Sequence, residues 1–272
     1  MSTTRSRFTE RAETAFKERI HSGAHYFTRS FAVGDLGAVV RRFPRRPGAT
    51  GGPNFLLVHG IGVSSRYFQP LAAELARHGS VWSIDLPGYG SSPRAGRNVS
   101  IAEHAQVVAE VAERAGILKP VLIGHSMGCQ VVTEVAVQRP DLASSVVLLA
   151  PTIDPAERSL MKSSIRLAHD LLTEPMRANF VVSSDYFFKC GPPYFARQLK
   201  HLLGDRIEER LVKIETPTLV VVGHRDPVVS VQWAEEAARL LPNGSLVVVQ
   251  GPHVIMYTDP VTIANHVMKH VS

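Results

Sequence analysis

Cysteine is scarce. Cys129 and Cys190 are the only two in the chain, too few for a disulfide framework, so both are expected as free thiols. Long apolar runs are missing as well. No stretch reaches the roughly 18 uninterrupted apolar residues of a membrane-spanning helix, which excludes a transmembrane segment. The opening residues MSTTRSRFTERAETAFKERI carry charges where a signal peptide has its apolar stretch, and a cytoplasmic protein is the expectation. Internal repeats and low-complexity tracts are also lacking. No pair of histidines has metal-ligand spacing with a supporting carboxylate, so neither a metal nor another cofactor is implied.

What excess there is lies in charge, and it is local. The chain carries a formal net charge of +6. Residues 1 to 50 hold ten Lys/Arg against four Asp/Glu, which accounts for all of it, while the remainder holds twenty of each. A nucleic-acid partner is therefore not implied: the basicity belongs to the N-terminal part of the chain, which opens with a basic arm, residues 1–30. There Phe8, Ala12, Phe16 and Ile20 recur every four residues, the spacing of a short apolar helix stripe that would dock on the core; the alternative, a peripheral membrane or partner-binding helix, needs more apolar area than this stripe offers.

From residue 31 onward the pattern changes. Phe31 to Phe43 alternates around Gly34-Asp35 and predicts two short strands joined by a turn. Apolar runs of strand length then alternate with amphipathic helical stretches: Asn54 to His59, Val81 to Asp85, Val121 to His125, Val146 to Ala150, Thr218 to Gly223 and Leu246 to Gln250. Alternating elements of this kind imply an α/β fold, a mostly parallel central sheet flanked by helices, with each strand buried on both faces. Ser100 with Glu103 makes a capping box, and Gly116 and Gly79 sit where helix C-terminal caps belong. Residues 151–211 break the alternation and predict a helical insertion between the two parts of the core, 31–150 and 212–272. Met161, Ile165, Phe180, Tyr186, Phe187, Phe188, Tyr194 and Phe195 make that insertion suited to cover something apolar.

The sharpest chemical signal is Gly124-His125-Ser126-Met127-Gly128, directly after a strand and opening a helix. A strand that turns into a helix within so few residues forces the serine into a strained conformation, tolerable only with small flanking residues, and exposes its Oγ at the sheet edge. A hydroxyl needs a base to attack at neutral pH, and the base needs an acceptor to fix its tautomer. His253 follows the last strand and Asp226 the one before it, both at strand C-terminal ends like Ser126. His224 would have to serve beside its own orienting acid; His169, His201, His266 and His270 fall in helical stretches. Asp154, after the strand ending at Ala150, is an alternative to Asp226, although Asp154-Pro155 also suits a helix cap. Oxyanion donors are expected from the N–H groups of Met127, at the helix start, and Ile61, in His59-Gly60-Ile61-Gly62; each such donor is worth about 3 kcal/mol of barrier. His59 and His125 are expected as structural loop residues.

HGIG, DLPGYGSSP, GHSMG, GHRDP and GPH, in this order over roughly residues 31 to 272, resemble the α/β-hydrolase superfamily, nearest its esterase and C–C-bond hydrolase branches. The resemblance implies the α/β-hydrolase fold, a cap over the site, and a Ser126, Asp226, His253 triad. Serine at the nucleophile position sets the chain apart from the dehalogenase and epoxide-hydrolase branches, which use aspartate. Pro252 and Cys129 depart from the small residue and glycine more common at their positions. The implied function is a serine esterase, cleaving an ester of a hydrophobic small molecule through an acyl-enzyme. Two alternatives share the motifs: a C–C-bond hydrolase of ring-cleavage products, whose substrate carboxylate Arg94, Arg97, Arg166 or Arg177 could meet, and a low-turnover ligand receptor on the same fold.

Overall fold

A computed structural model of the protein describes residues 15–21, 24–45, 51–157 and 191–272. Six apolar runs become parallel strands: β4 (Asn54–Val58), β5 (Ser80–Asp85), β6 (Val121–His125), β7 (Ser145–Leu149), β8 (Thr218–Gly223) and β9 (Gly244–Val249). Three antiparallel strands precede them, β1 (Lys17–His21), β2 (Ala24–Val33) and β3 (Leu36–Phe43). The described residues thus form a nine-stranded sheet in the order β1-β2-β3-β5-β4-β6-β7-β8-β9. Because strand side chains alternate, Phe55 and Leu57 of β4 enter one apolar layer and Leu56 and Val58 the other. Helix α1 (Gln69–Leu75), the short α7 (Ile255–Thr258) and the C-terminal α8 (Pro260–Val271) cover the first face; α2 (Ile101–Arg114), α3 (Met127–Gln138), α5 (Ile207–Leu211) and α6 (Val231–Leu240) cover the second. No described helix is long and apolar enough to cross a membrane.

The sheet departs from the expectations at its two edges. Residues 17–21 form a strand rather than the end of a docked helix, with Ile20 paired to His25. The reason is tertiary: β2 would otherwise offer an unpaired row of backbone groups, and β1 caps that row. Phe16 leaves the supposed stripe to lie 5.8 Å from the Trp82 ring, with the Arg29 guanidinium 5.6 Å from the Phe16 ring; Phe8 and Ala12 lie outside the described residues. The sheet therefore begins at Lys17, not at Phe31. At the other end β9 is half exposed, because no strand follows it, so burial on both faces holds for the central strands only.

Local signals hold with one exception. Ser100 and Glu103 form both bonds of the capping box, and Gly116 ends α2 at φ 70. Gly79 has no left-handed backbone; a Cβ there would stand 2.0 Å from the Pro53 carbonyl oxygen, so close approach to the β4 entry requires glycine. Of the predicted cap, residues 158–190 lie outside the described residues, and with them Met161, Ile165, Phe180, Tyr186, Phe187 and Phe188. Its described helices are α4 (Pro192–Gly204) and α5, the latter packed on the core with Ile207 and Leu211 fully buried, and α4 is fastened to the core as well: Tyr194 Oη donates to the Pro87 carbonyl at 2.8 Å, and Gln130 Nε2 to the Leu202 carbonyl at 2.9 Å.

A buried ion pair ties the antiparallel edge to the parallel sheet. Arg41 of β3 meets Asp85 at the end of β5 at 2.7 Å, and the two side chains are 5% and 0% exposed. Asp85 also accepts from Ser65 N–H (2.9 Å), Ser65 Oγ (2.6 Å) and Ser91 N–H (2.8 Å). Burial alone would raise the Asp85 pKa, but the Arg41 cation and these donors hold the carboxyl well below the usual range. Removing one partner strands the other charge, so Arg41→Met is expected to cost about 3–5 kcal/mol by urea denaturation. A depressed carboxyl stabilises the fold above its unfolded pKa and loses that contribution as pH falls. The stability gap between wild type and Asp85→Asn is therefore expected to shrink below about pH 4.

Candidate active site

Ser126 sits between the last residue of β6 and the first of α3 with φ 54 and ψ −121, a conformation costing about 1–3 kcal/mol for a residue with a Cβ. Backbone bonds hold it there: Ser126 N–H donates to the Leu149 carbonyl at 3.0 Å, and Cys129 N–H to the Ser126 carbonyl at 2.9 Å. A Cβ on Gly124 would stand 2.5 Å from the Gly128 oxygen, and one on Gly128 2.1 Å from the Val58 oxygen. Both glycines of the motif are thus dictated by the closeness of α3 to the sheet. Cys129 fills the space behind, its single S–H shared between the carbonyls of Gly124 (Sγ at 3.3 Å) and Leu149 (3.2 Å), and burial pushes its thiol pKa well up.

The loop after β4 approaches from the opposite side. A Cβ on Gly60 would lie 3.1 Å from Ser126 Cβ, so the Gly60–Ile61 peptide passes directly beside the serine. His59 sets how that peptide faces. Its Nε2 accepts from Leu86 N–H at 3.0 Å, which leaves the proton on Nδ1, and Nδ1 donates to the Gly60 carbonyl at 2.7 Å. In a trans peptide the N–H points opposite to the C=O, so Ile61 N–H is turned away from His59, and it has no hydrogen-bond partner among the described residues. Met127 N–H opens α3, where amides are unpaired and the helix dipole favours negative charge. The orienting role of His59 was not legible in the sequence, because Leu86 is 27 residues away.

His253 and Asp226 meet. His253 Nδ1–H donates to Asp226 Oδ2 at 2.8 Å, with side chains 5% and 0% exposed, and Asp226 Oδ1 accepts from Val228 N–H (2.7 Å) and Val229 N–H (2.9 Å). The carboxylate is fixed by its own turn, and the imidazole by the carboxylate. Main-chain bonds join the loops that carry them: His224 N–H to the Val249 carbonyl (2.7 Å) and Arg225 N–H to the Gly251 carbonyl (3.1 Å). Ser126 is linked to the pair through its neighbour, since the His125 ring centroid is 4.6 Å from that of His253.

The rival residues fall elsewhere. The Asp154 side chain accepts from Ala156 N–H at 2.9 Å and from Ser230 Oγ at 3.5 Å, the helix-cap use rather than contact with His253. His224 is exposed. His201 lies on α4, and His266 and His270 on α8, where His270 Nε2 meets the Pro217 carbonyl at 3.4 Å; His169 is outside the described residues. His104 is buried beneath α4 against Gln198, and burial pushes its pKa down to about 4. Arg97 is held on the surface by Asp35 and Glu103, and Arg94 lies against Gly191 at the start of α4; Arg166 and Arg177 are outside the described residues. Among the described residues no three His, Cys, Asp or Glu side chains converge as a metal site.

Comparison with known proteins gives the same frame. The model of the family described as "Alpha/beta hydrolase family" matches residues 55–266. The chain is 30% identical over 231 residues to "Putative carbamate hydrolase RutD" of Pseudomonas savastanoi pv. phaseolicola, covering 76% of this chain and 89% of that protein. It is 23% identical over 244 residues to a pimeloyl-[acyl-carrier protein] methyl ester esterase of Vibrio vulnificus, covering 80% and 94%. Among solved structures, E-2-(acetamidomethylene)succinate hydrolase superposes with a TM-score of 0.77 at 21% identity, covering 91% of this chain and 99% of that one.

The environment of Cys129 has a direct chemical consequence. A thiol that is buried, raised in pKa and hydrogen-bonded to two carbonyls is expected to resist iodoacetamide in the native protein and react only on unfolding. Peptide-resolved mass spectrometry after native and denatured labelling checks this.

Proposed function

We propose, from the premise that this chain belongs to the alpha/beta hydrolase family, that it is a serine hydrolase acting on esters of hydrophobic small molecules, with Ser126 as nucleophile, His253 as base and Asp226 as the acid that orients it. The observation that carries this reading is the buried 2.8 Å bond between His253 Nδ1 and Asp226 Oδ2, joined through His125 to the adjoining serine held at φ 54. With the Nδ1 proton committed to the carboxylate, Nε2 carries the lone pair a general base needs.

The reaction follows from these placements. Ser126 Oγ attacks the ester carbonyl as its proton passes to His253 Nε2. The charge that develops on the carbonyl oxygen is met by the N–H groups of Met127 and Ile61, and each is worth about 3 kcal/mol of barrier. The C–O bond to the alcohol breaks as His253 returns the proton to it. Water, deprotonated by the same imidazole, then cleaves the acyl-enzyme and restores Ser126. The names of the carbamate hydrolase and methyl ester esterase relatives support acyl transfer from a carbonyl carrying a heteroatom leaving group.

Steady-state hydrolysis of p-nitrophenyl esters from acetyl to dodecanoyl tests this, with Ser126→Ala as control at each length. The expected result is turnover with an optimum chain length, abolished by Ser126→Ala. Asp226→Asn is expected to lower kcat on the order of 10⁴-fold through loss of the correct tautomer, while Asp154→Asn stays near wild type. Absence of turnover throughout, with the wild type folded, would turn the assignment to C–C-bond cleavage or ligand reception. Activity surviving Asp226→Asn but not Asp154→Asn would move the acid to Asp154.

A further inference from the structure

We infer that His125 is a positioning residue, holding the base loop and the oxyanion loop in a single register through one hydrogen-bonded chain that runs from Gly60 through Tyr67 to His253. The inference rests on the triad reading above. Gly60 N–H donates to Tyr67 Oη at 2.9 Å, Tyr67 Oη lies 2.8 Å from His125 Nδ1, and His125 Nε2 lies 3.1 Å from the His253 carbonyl oxygen. Direction along this chain is forced. Gly60 N–H can only donate, so it uses a lone pair of Tyr67 Oη, and the single phenolic proton then goes to His125 Nδ1. His125 is left with its proton on Nε2, which donates to the main chain of His253.

Each end of the chain reaches a different part of the machinery. At one end the Gly60 main chain is held on both sides, its N–H by Tyr67 and its carbonyl by His59, and this sets the position of Ile61 N–H. At the other end the backbone of the base itself is held, not its ring. Tyr67 and His125 are 2% and 3% exposed, so water does not substitute for a lost bond without rearrangement. Burial, and secondarily the neighbouring His253 imidazole, keeps the His125 pKa well below the ordinary histidine range. His125 therefore stays neutral and keeps one tautomer while His253 gains and loses its proton. An apolar residue at 125 would leave the Tyr67 hydroxyl proton and the His253 carbonyl without these partners.

Two probes test this on the full chain: the second-order rate of Ser126 phosphonylation by an alkyl fluorophosphonate, and hydrolysis of p-nitrophenyl butyrate. In the first, Ser126 Oγ forms a bond to phosphorus, fluoride leaves with the P–F electron pair, and the hydroxyl proton passes to His253. The variants are Tyr67→Phe, His125→Phe, His125→Asn and His125→Gln. The Gln amide nitrogen takes the place of Nε2 and keeps the donor to His253, whereas Asn reaches only toward Tyr67. Tyr67→Phe is expected to lower kcat and the phosphonylation rate about tenfold, and His125→Phe or His125→Asn about 10- to 100-fold, with KM changed by less than about threefold. His125→Gln is expected to recover most of the loss, and Tyr67→Phe with His125→Phe to be no worse than His125→Phe alone.

Rates within about twofold of wild type in Tyr67→Phe, His125→Phe and His125→Asn, or losses at the two positions that multiply, overturn the inference. So does a loss that His125→Gln fails to recover while thermal melting shows it folded. Should His125→Phe fail to fold, Tyr67→Phe and His125→Gln decide alone. A wild-type protein not phosphonylated at Ser126 overturns the triad reading along with this one, whereas normal phosphonylation in every variant overturns this one only.

Discussion

Everything at the candidate site depends on how close helix α3 comes to the sheet. With room for less than a methyl group between Gly128 and the Val58 carbonyl, the chain has no gentle path from β6 into α3. The turn must be made at a single residue, and Ser126 takes a backbone conformation that solvent-exposed loops seldom sustain. The strain persists because the strands on either side are fully buried and hydrogen-bonded. Packing of the core is thereby converted into a strained turn that sets Ser126, itself 5% exposed, beside the Gly60–Ile61 peptide.

The surrounding loops answer that constraint from different elements. Parallel strands end on one edge of the sheet, so the segments after β4, β6, β8 and β9 arrive at one place although they are far apart in sequence. The Arg41–Asp85 pair does related work a layer back. It fastens the Ser65 and Ser91 segments that follow β4 and β5, so the loops flanking the site are anchored to the sheet by charge as well as by backbone.

Much of this was legible because the determining forces are local. GHSMG declares its geometry through the steric need for glycine on both sides of Ser126, and the central strands declare themselves as apolar runs because both faces are covered. Asp226 and His253 were within reach because strand ends locate them. What escaped were features set by distant partners. β1 reads as part of a helix stripe until β2 presents an edge to pair with. The preference for imidazole at positions 59 and 125 had no visible cause, since Leu86, Tyr67 and the His253 carbonyl are brought in only by folding. Asp154 could be set below Asp226 only on capping grounds; the bond to His253 is a tertiary fact.

The main-chain bonds from His224 and Arg225 to Val249 and Gly251 bear on how such a protein changes over generations. They require no particular side chain at 224 or 225, and both residues are exposed. Substitutions can accumulate on that rim, altering its charge and shape, while the distance between carboxylate and imidazole stays as the backbone sets it. The pairing of Asp226 with His253 is in this way insulated from whatever side chains stand at 224 and 225.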